Sequence, residues 1–397
     1  MTASRWDELF ARRSLGIRLG IEAVTAAWQR LGEPCRGVTA VHVVGTNGKG
    51  STSAMIDHAL RGRGLAVGLY TSPHLHRVGE RVRTDGVAQD DDVLLDAVDR
   101  VLAIEPSALP RPLSFFEVLT LAAWVRFADA RVEVIIAEAG MGGRFDATRI
   151  CDAKVVAVAS IDLDHQQFLG DTRAKIAAEK IAVAKRGVPV FSVPQVPEVR
   201  EVMRAHTGAI GAPLVFVEPL ARAPIGLVGA HQRDNAALAL AAARVLAPEI
   251  AASELDGVVW PGRFERIAYG GGTIVLDVAH NPAGIAALLD ALREHAPEAS
   301  VLVGTVADKD PAAVAALVQR SGRTWAWVDL MAFGASGTRV DAPIVLDDVA
   351  TTLGWIDART AAGATVCVCG SHVLVAAVRA HVLGLAAAQP GERVSGP

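Results

Sequence analysis

The chain has 397 residues, which is more than one hydrophobic core usually supports and predicts two domains. Its 51% hydrophobic and 21% charged residues are typical of a folded protein and exclude a disordered or collagen-like chain. The 39 basic and 43 acidic residues give a net charge of -4, which argues against nucleic acid as the main partner.

The first part of the chain alternates short Val- and Ile-rich runs with helix-length segments, as βαβ units around a parallel sheet do. Strands are predicted at residues 41–44, 66–70, 132–137, 154–161 and 189–192. Between them, apolar residues recur at three- and four-residue spacing and predict helices, for example at 116–128 and 172–185.

The pattern restarts after residue 260, beyond an Ala-rich helix predicted at 234–246. Strands are predicted at 273–278, 300–306, 324–330 and 365–369, and helices at 283–295, 311–320 and 345–357. We therefore predict an α/β protein with a larger domain at 1–259 and a smaller doubly wound domain at 260–397, ending in a frayed tail at 389–397.

Targeting and cysteine signals are weak. No apolar run reaches the roughly 20 residues of a membrane span, and the N-terminal residues lack the apolar core of a signal peptide. The four cysteines lack C-x-x-C spacing, which favours buried thiols over a metal site or disulfides. We expect a cytoplasmic protein that contacts neither membrane nor nucleic acid.

A Gly-rich segment at 41–52, VHVVGTNGKGST, leads from a buried strand into a helix. Such a turn lets backbone N–H groups converge on phosphate oxygens, Lys49 adds a positive charge, and Ser51 can ligate Mg²⁺. The strict nucleotide-loop spacing fails, because Val43 replaces the first glycine and Gly50 separates the lysine from the serine. The alternative is a Gly-rich turn that binds no ligand.

Polar residues follow three of the predicted strands, where ligands of open α/β sheets bind. Glu138 ends one strand, His165 follows another, and Ser72 lies just after a third. Around a phosphate loop, a carboxylate, a hydroxyl and an imidazole suit Mg²⁺ ions that bridge nucleotide oxygens, although imidazole is an unusual Mg²⁺ ligand. His165 by itself would be interpreted as an ordinary histidine of a surface turn.

Three further residues have both a functional and an ordinary interpretation. Lys180 lies within a predicted helix, where a solvated lysine is the default. Asp277 and His280 follow the first strand of the second domain, where they could face a nucleotide or serve only in capping and turns.

Together these segments resemble the folylpolyglutamate synthase and dihydrofolate synthase family of Mur-type amide ligases, over most of the chain. The matching motifs occur in family order and include VVGTNGKGST, YTSPHL, SFFEVLT, EAGMGGRFDAT, IDLDHQQFLG, EKIAVAKRGVPV, GAHQRDNAALA, PGRFE, LDVAHNP and CGSHVLVAAVR. The resemblance implies a Mur-ligase-like P-loop ATPase domain with a parallel-rich sheet and a Rossmann-like C-terminal domain, with ATP and substrates in the cleft between them.

The resemblance also implies roles for individual residues. Those that would bind ATP are Thr46, Asn47, Gly48, Lys49, Gly50, Ser51, Asn235, Arg263 and Asp277. Those that would hold two Mg²⁺ ions are Ser72, Glu138, His165 and Lys180, the lysine as a carbamate. Those that would hold the pterin are Ser114, Phe115, Phe116, Glu117, Phe145, Asp146 and Ala147. Catalytic roles would fall to Lys49, His165, Lys180 and His280.

The implied reaction is ATP-dependent addition of L-glutamate to dihydropteroate, to a reduced folate, or to both, through an acyl phosphate, by a monomer. A shortened segment at 206–226 and Met141 in the Gly-rich turn depart from the family pattern and leave the acceptor open. Two alternatives stay open: a related ligase for a different carboxylic acid, and an ATP-binding homologue without ligase activity.

Overall fold

The computed structural model describes residues 5–16, 20–104 and 109–385, and the predicted frayed tail lies outside them. The chain divides into two compact units. The first contains residues up to Ala221 together with Arg233–Val258, and the second contains Arg222–Gln232 together with the residues from Val259 onward. A single division point therefore does not describe the chain, because the short segment Arg222–Gln232 belongs with the second unit.

The first unit is built on an eight-stranded sheet in the order β4-β3-β2-β5-β1-β6-β7-β8. The strands are β1 Thr39–Val44, β2 Val67–Tyr70, β3 Val82–Thr84, β4 Val87–Ala88, β5 Val134–Glu138, β6 Asp152–Val158, β7 Val190–Ser192 and β8 Leu214–Phe216. Six strands run parallel, while β3 and β4 add an antiparallel edge beside β2. The phosphate-loop strand β1 therefore lies near the middle of the sheet.

Helices cover both faces of this sheet. They are α1 Arg5–Ala11, α2 Glu22–Arg30, α3 Lys49–Gly62, α4 Asp91–Leu102, α5 Phe115–Asp129, α6 Gln166–Leu169, α7 Arg173–Ile181, α8 Pro197–Ile210 and α9 His231–Arg244. One buried cluster packs α2, α4 and α5 around Tyr70, Trp124 and Phe127, and a second packs α7 and α8 around Val156 and Met203. The two clusters are the core layers expected for a sheet that is buried on both faces.

The second unit has a six-stranded sheet in the order β13-β12-β11-β14-β10-β9, in which only β9 runs antiparallel to its neighbour. Its strands are β9 Glu265–Tyr269, β10 Gly272–Leu276, β11 Ser300–Val303, β12 Trp325–Val328, β13 Val345–Leu346 and β14 Thr365–Cys369. Its helices are α10 Pro282–His295, α11 Pro311–Arg320, α12 Val349–Ala361 and α13 His372–Leu383. The predicted α/β class with parallel-rich sheets is confirmed.

One predicted helix is wrong in its first residues. The segment at 345–357 begins with the short strand β13, and α12 starts only at Val349. The reason is local, because the Asp348 carboxylate accepts a hydrogen bond from the Thr351 N–H and caps the helix there.

Three cysteines, Cys151, Cys367 and Cys369, are buried, and Cys35 is partly exposed.

None of the helices in the described ranges is both long and apolar enough to cross a lipid bilayer.

Candidate active site

The phosphate loop joins the end of β1 to the start of α3 and has no spare room. Gly48 has φ +90°, and a Cβ there would lie 2.4 Å from Oδ1 of Asn235. The Thr46 hydroxyl donates to the Asp162 carbonyl at 3.0 Å, and the Asp162 N–H reaches the same hydroxyl at 3.1 Å. The Asn47 N–H donates to the Ser160 carbonyl at 3.3 Å. The loop is therefore held by the segment after β6 and lies against one of its predicted ATP contacts, Asn235.

The first turn of α3 offers a place for an anion. Gly50, Ser51 and Thr52 are buried, and the Lys49 ammonium donates to the Thr46 carbonyl at 3.2 Å. Among the described residues, the buried hydroxyls of Thr52 and Ser53 have no hydrogen-bond partner. The positive dipole end of a 14-residue helix favours negative charge at this point. These features fit a nucleotide phosphate with its Mg²⁺.

Glu138 and Ser72 meet beside this loop. Glu138 ends β5 opposite Val43 of β1, and its side chain is buried. Ser72 follows β2, which pairs with β5, and its N–H donates to Glu138 Oε2 at 3.2 Å. The strand register therefore brings two of the four predicted metal-site residues together.

Lys180 is buried, so the default interpretation of a solvated helix lysine is wrong. Its side chain is 4% exposed, and its ammonium donates to the Gly45 carbonyl at 2.8 Å. The lysine thus reaches from α7 to the first residue of the phosphate loop. The same end of α7 supports the Gly-rich turn after β5, since the Arg144 N–H donates to the Glu179 carbonyl at 2.9 Å.

His165 lies where β6 leads into α6, with its backbone in the left-handed region at φ 49°. Its N–H donates to Asp164 Oδ1 at 2.8 Å, and its side chain is only 15% exposed. Within the described ranges, no three His, Cys, Asp or Glu side chains form a metal-binding cluster. The proposed set of Ser72, Glu138, His165 and Lys180 contains only two residues of those types and stays a prediction.

The segment Ser114 to Glu117 begins α5, and its polar groups serve the helix end. The Ser114 N–H donates to Glu117 Oε2 at 2.8 Å, and the Ser114 hydroxyl accepts from the Glu117 N–H at 3.4 Å. The Arg111 guanidinium donates to both Glu117 oxygens, at 2.8 and 2.9 Å, which raises the pKa of Arg111. The carboxylate of Glu117 is therefore engaged within the protein.

The apolar members of the predicted pterin segments are better placed for a ligand. Phe116 lies against the Gly-rich turn, where a Cβ on Gly140 would come within 2.6 Å of its ring. Phe145 is 41% exposed, whereas Phe115 and Ala147 are buried. An exposed ring beside a tight glycine turn provides an apolar surface on which a planar ligand can lie.

Asp146 is buried and surrounded by donors. Its carboxylate accepts the Met141 N–H at 3.0 Å, the Thr148 N–H at 2.9 Å and the Thr148 hydroxyl at 2.5 Å. Burial raises the pKa of Asp146, while these hydrogen bonds act in the opposite direction. The Thr148 hydroxyl also lies 2.8 Å from Nε2 of His42 on β1. Sequence reasoning missed His42 and Thr148, although a histidine inside the apolar strand VHVV is a visible signal.

The predicted site residues Asp277 and His280 of the second unit lie just after β10. Asp277 accepts the Phe264 N–H at 2.9 Å and the Ala279 N–H at 2.8 Å, and His280 Nδ1 lies 2.9 Å from the Val278 carbonyl. Asp277 therefore pins the turn that carries Arg263.

A neighbouring ion pair supports the same turn. Glu265 accepts the Gly262 N–H at 2.9 Å and also pairs with Arg379 of α13 at 3.0 Å. Neither Glu265 nor Arg379 was singled out from the sequence, because an ion pair between distant positions leaves no local pattern.

Comparisons with known proteins identify similar chains. Residues 262–372 match the family model of the Mur ligase, glutamate ligase domain. The chain is 37% identical over 336 residues to a probable bifunctional folylpolyglutamate synthase/dihydropteroate synthase of Haloferax volcanii, covering 76% of this chain and 40% of that one. It is 32% identical over 392 residues to the dihydrofolate synthase/folylpolyglutamate synthase of Escherichia coli, covering 91% of each.

The fold agrees as well. The structure of E. coli FolC in complex with DHPP and ADP superposes with a TM-score of 0.82 at 29% identity, covering 96% of this chain and 98% of that one. The likeness therefore extends over both units. The chain belongs to the dihydrofolate synthase/folylpolyglutamate synthase family and has its Mur-ligase fold.

Proposed function

We propose that this chain is an ATP-dependent ligase that adds L-glutamate to dihydropteroate, to a (tetrahydro)folate, or to both. The observation that carries the proposal is the phosphate loop, held by buried Lys180 at Gly45 and lying beside the Glu138–Ser72 pair. This arrangement occurs in a chain that resembles such ligases over 91% of its length.

In this proposal residues 46–51 and the Lys49 ammonium bind the ATP phosphates, and Asn235, Arg263 and Asp277 supply the remaining ATP contacts. Ser51, Ser72, Glu138, His165 and Lys180 would hold Mg²⁺. When bound, Mg²⁺ neutralises charge on the phosphoryl group that is transferred. The Lys49 ammonium would stabilise the same charge electrostatically, because its hydrogen bond to the Thr46 carbonyl already holds it at the phosphate loop.

The acceptor carboxylate attacks the γ-phosphorus, giving an acyl phosphate and ADP. The glutamate amine then attacks the acyl carbon, and inorganic phosphate leaves. No side chain has to act as a covalent nucleophile. The chain's contribution is to orient the two carboxylic substrates and to keep water away from the acyl phosphate. Phe116, Phe145 and the turn held by Asp146 are the proposed acceptor surface.

An ADP-release assay tests the proposal directly, with dihydropteroate and tetrahydrofolate supplied separately, each with and without L-glutamate. We expect ADP release that requires both an acceptor and glutamate. Folded protein that binds an ATP analogue yet releases no ADP with either acceptor would contradict the proposal, and the same assay with other carboxylic acids would then identify a different ligase. We further expect a monomer, which sedimentation of the active protein checks.

Lys180 is proposed to carry a carbamate, formed when its neutral amine attacks CO₂ and releases a proton. The carbamate would replace a cation beside Gly45 with an oxygen ligand for a second Mg²⁺. With ¹³C-bicarbonate, NMR should show a carbamate signal in the wild type and in Lys175→Ala, whose lysine is exposed, but not in Lys180→Ala. Lys180→Ala should also lose at least about 100-fold in turnover, with partial recovery in added formate or acetate. Wild-type turnover in Lys180→Ala would remove this lysine from the site.

A further inference from the structure

Three buried side chains connect the phosphate-loop strand with the Gly-rich turn. His42 on β1, Thr148 and Asp146 are 1%, 0% and 5% exposed. Nε2 of His42 lies 2.8 Å from the Thr148 hydroxyl, which lies 2.5 Å from Asp146 Oδ1. His42 and Thr148 are 106 positions apart in the sequence, so only the fold brings them together.

The direction of each hydrogen bond follows from the protons that are available. The Thr148 hydroxyl donates its only proton to the Asp146 carboxylate, so the imidazole of His42 must donate from Nε2. Burial, together with the nearby positive charges of Lys185 and Arg149, lowers the pKa of His42 to about 3. The ring is therefore neutral at physiological pH, with its single proton on the nitrogen that faces Thr148.

Asp146 connects these side chains to the backbone of the Gly-rich turn through further hydrogen bonds. Its second oxygen, Oδ2, accepts the Met141 N–H, while Oδ1 also accepts the Thr148 N–H. The carboxylate thus ties together both ends of the turn that contains Gly142, Gly143 and Phe145. A valine at position 42 would suit the apolar strand, and a buried imidazole costs free energy unless its donor is satisfied. The histidine therefore serves the chain of hydrogen bonds that ends at this turn.

We propose that His42 and Thr148 are positioning residues for the acceptor: they orient Asp146, and through it the turn on which the pterin lies. The inference rests on the proposed function, since that function assigns the turn to the acceptor. ATP binds elsewhere in the proposal, at residues 46–51. Loss of the hydrogen bonds should therefore weaken acceptor binding and leave ATP binding unchanged.

Two matched pairs of variants test this. The amide nitrogen of glutamine can replace Nε2 of His42, whereas that of asparagine is too short and replaces Nδ1, so H42Q should retain the hydrogen bond and H42N should lose it. Likewise T148S keeps the hydroxyl and T148V removes it. Thr207→Val is the control, because Thr207 is a buried threonine whose hydroxyl bonds only within α8. KM for acceptor and KM for ATP are measured by glutamate-dependent ADP release.

We expect H42N and T148V to raise KM for the acceptor about tenfold and to leave KM for ATP within about twofold, since a turn displaced by a fraction of an ångström loses binding geometry. H42Q, T148S and T207V should stay within about threefold of the wild type. Equal increases in both KM values, or the same acceptor KM in H42N as in H42Q, would overturn the inference. If H42N does not fold, the T148S and T148V pair decides. Wild-type protein without glutamate-dependent ADP release refutes the proposed function itself, whereas an active wild type with unaffected variants refutes only this inference.

Discussion

Gly48 and Gly64 stand at opposite ends of α3, both with positive φ, of +90° and +78°. A Cβ on Gly48 would meet Asn235, whereas nothing lies within 4 Å of a Cβ on Gly64. Both alanine variants should lose about 1 kcal/mol of stability from backbone strain. Only Gly48→Ala should also weaken binding of an ATP analogue, by at least about tenfold. Calorimetric titration of both variants measures this, and equal affinities would show that Asn235 is not part of the nucleotide site.

His42 should make the fold sensitive to acid. Its usual pKa of 6.5 applies in the unfolded chain, and the pKa is about 3 in the folded protein, where the ring is buried, Lys185 and Arg149 lie nearby and Asp146 is linked through Thr148. The unfolded state thus binds the extra proton between these values, so the contribution to stability is complete above pH 6.5 and is lost as the pH falls toward 3. At pH 5 the loss is about 2 kcal/mol.

His42→Gln does not titrate in this range and isolates the effect. Between pH 7 and pH 5, the Tm of the wild type should fall by roughly 4 to 8 °C more than that of His42→Gln. Parallel decreases in the two proteins would mean that the histidine is protonated in the folded state or that its environment is not dry.

At the scale of elements, the ion pair between β9 and α13 fixes the turn that presents Arg263. Glu265 and Arg379 are 18% and 17% exposed, whereas the Arg293–Asp290 pair on α10 is 76% and 67% exposed. Arg379→Met should therefore cost roughly 2 kcal/mol, since it leaves a half-buried carboxylate without its partner, while Arg293→Met should cost under about 0.5 kcal/mol. Urea unfolding compares the two. Similar losses would mean that the Glu265 pair is solvated.

Central elements could be predicted from the sequence, and edge elements could not. β1, β10 and β14 are buried apolar runs, so their composition alone identifies them. The edge strands β4 and β8 have only two and three residues and partly exposed side chains, which leaves no periodic signal. The site divides in the same way. The glycines and Lys49 of the phosphate loop, and Glu138 at the end of β5, are local sequence patterns. The burial of Lys180 and the hydrogen-bonded link from His42 to Asp146 exist only after folding.

At the scale of the whole molecule, the segment Arg222–Gln232 makes the second unit discontinuous in sequence. Val228 packs against the buried cluster of that unit, whereas Val215 on β8 is 47% exposed. Val228→Ser should therefore cost about 1 kcal/mol and lower the unfolding temperature of the second unit, while Val215→Ser should change it little. Differential scanning calorimetry measures both. An effect no larger than that of Val215→Ser would show that the segment does not contribute to the second core.

The discontinuity has a consequence for how the protein is made. A ribosome releases residues 222–232 before any strand of the second sheet has been synthesised, so this stretch leaves the exit tunnel without the core it packs against. Val228 and its neighbours must wait until α10 and the strands that follow have emerged. The N-terminal unit can complete its sheet early in translation. The core of the second unit is complete only when residues 222–232, which are made earlier, pack against strands and helices that are made later. A pause or truncation within the last third of the message should therefore leave an apolar segment open to chaperones and proteases.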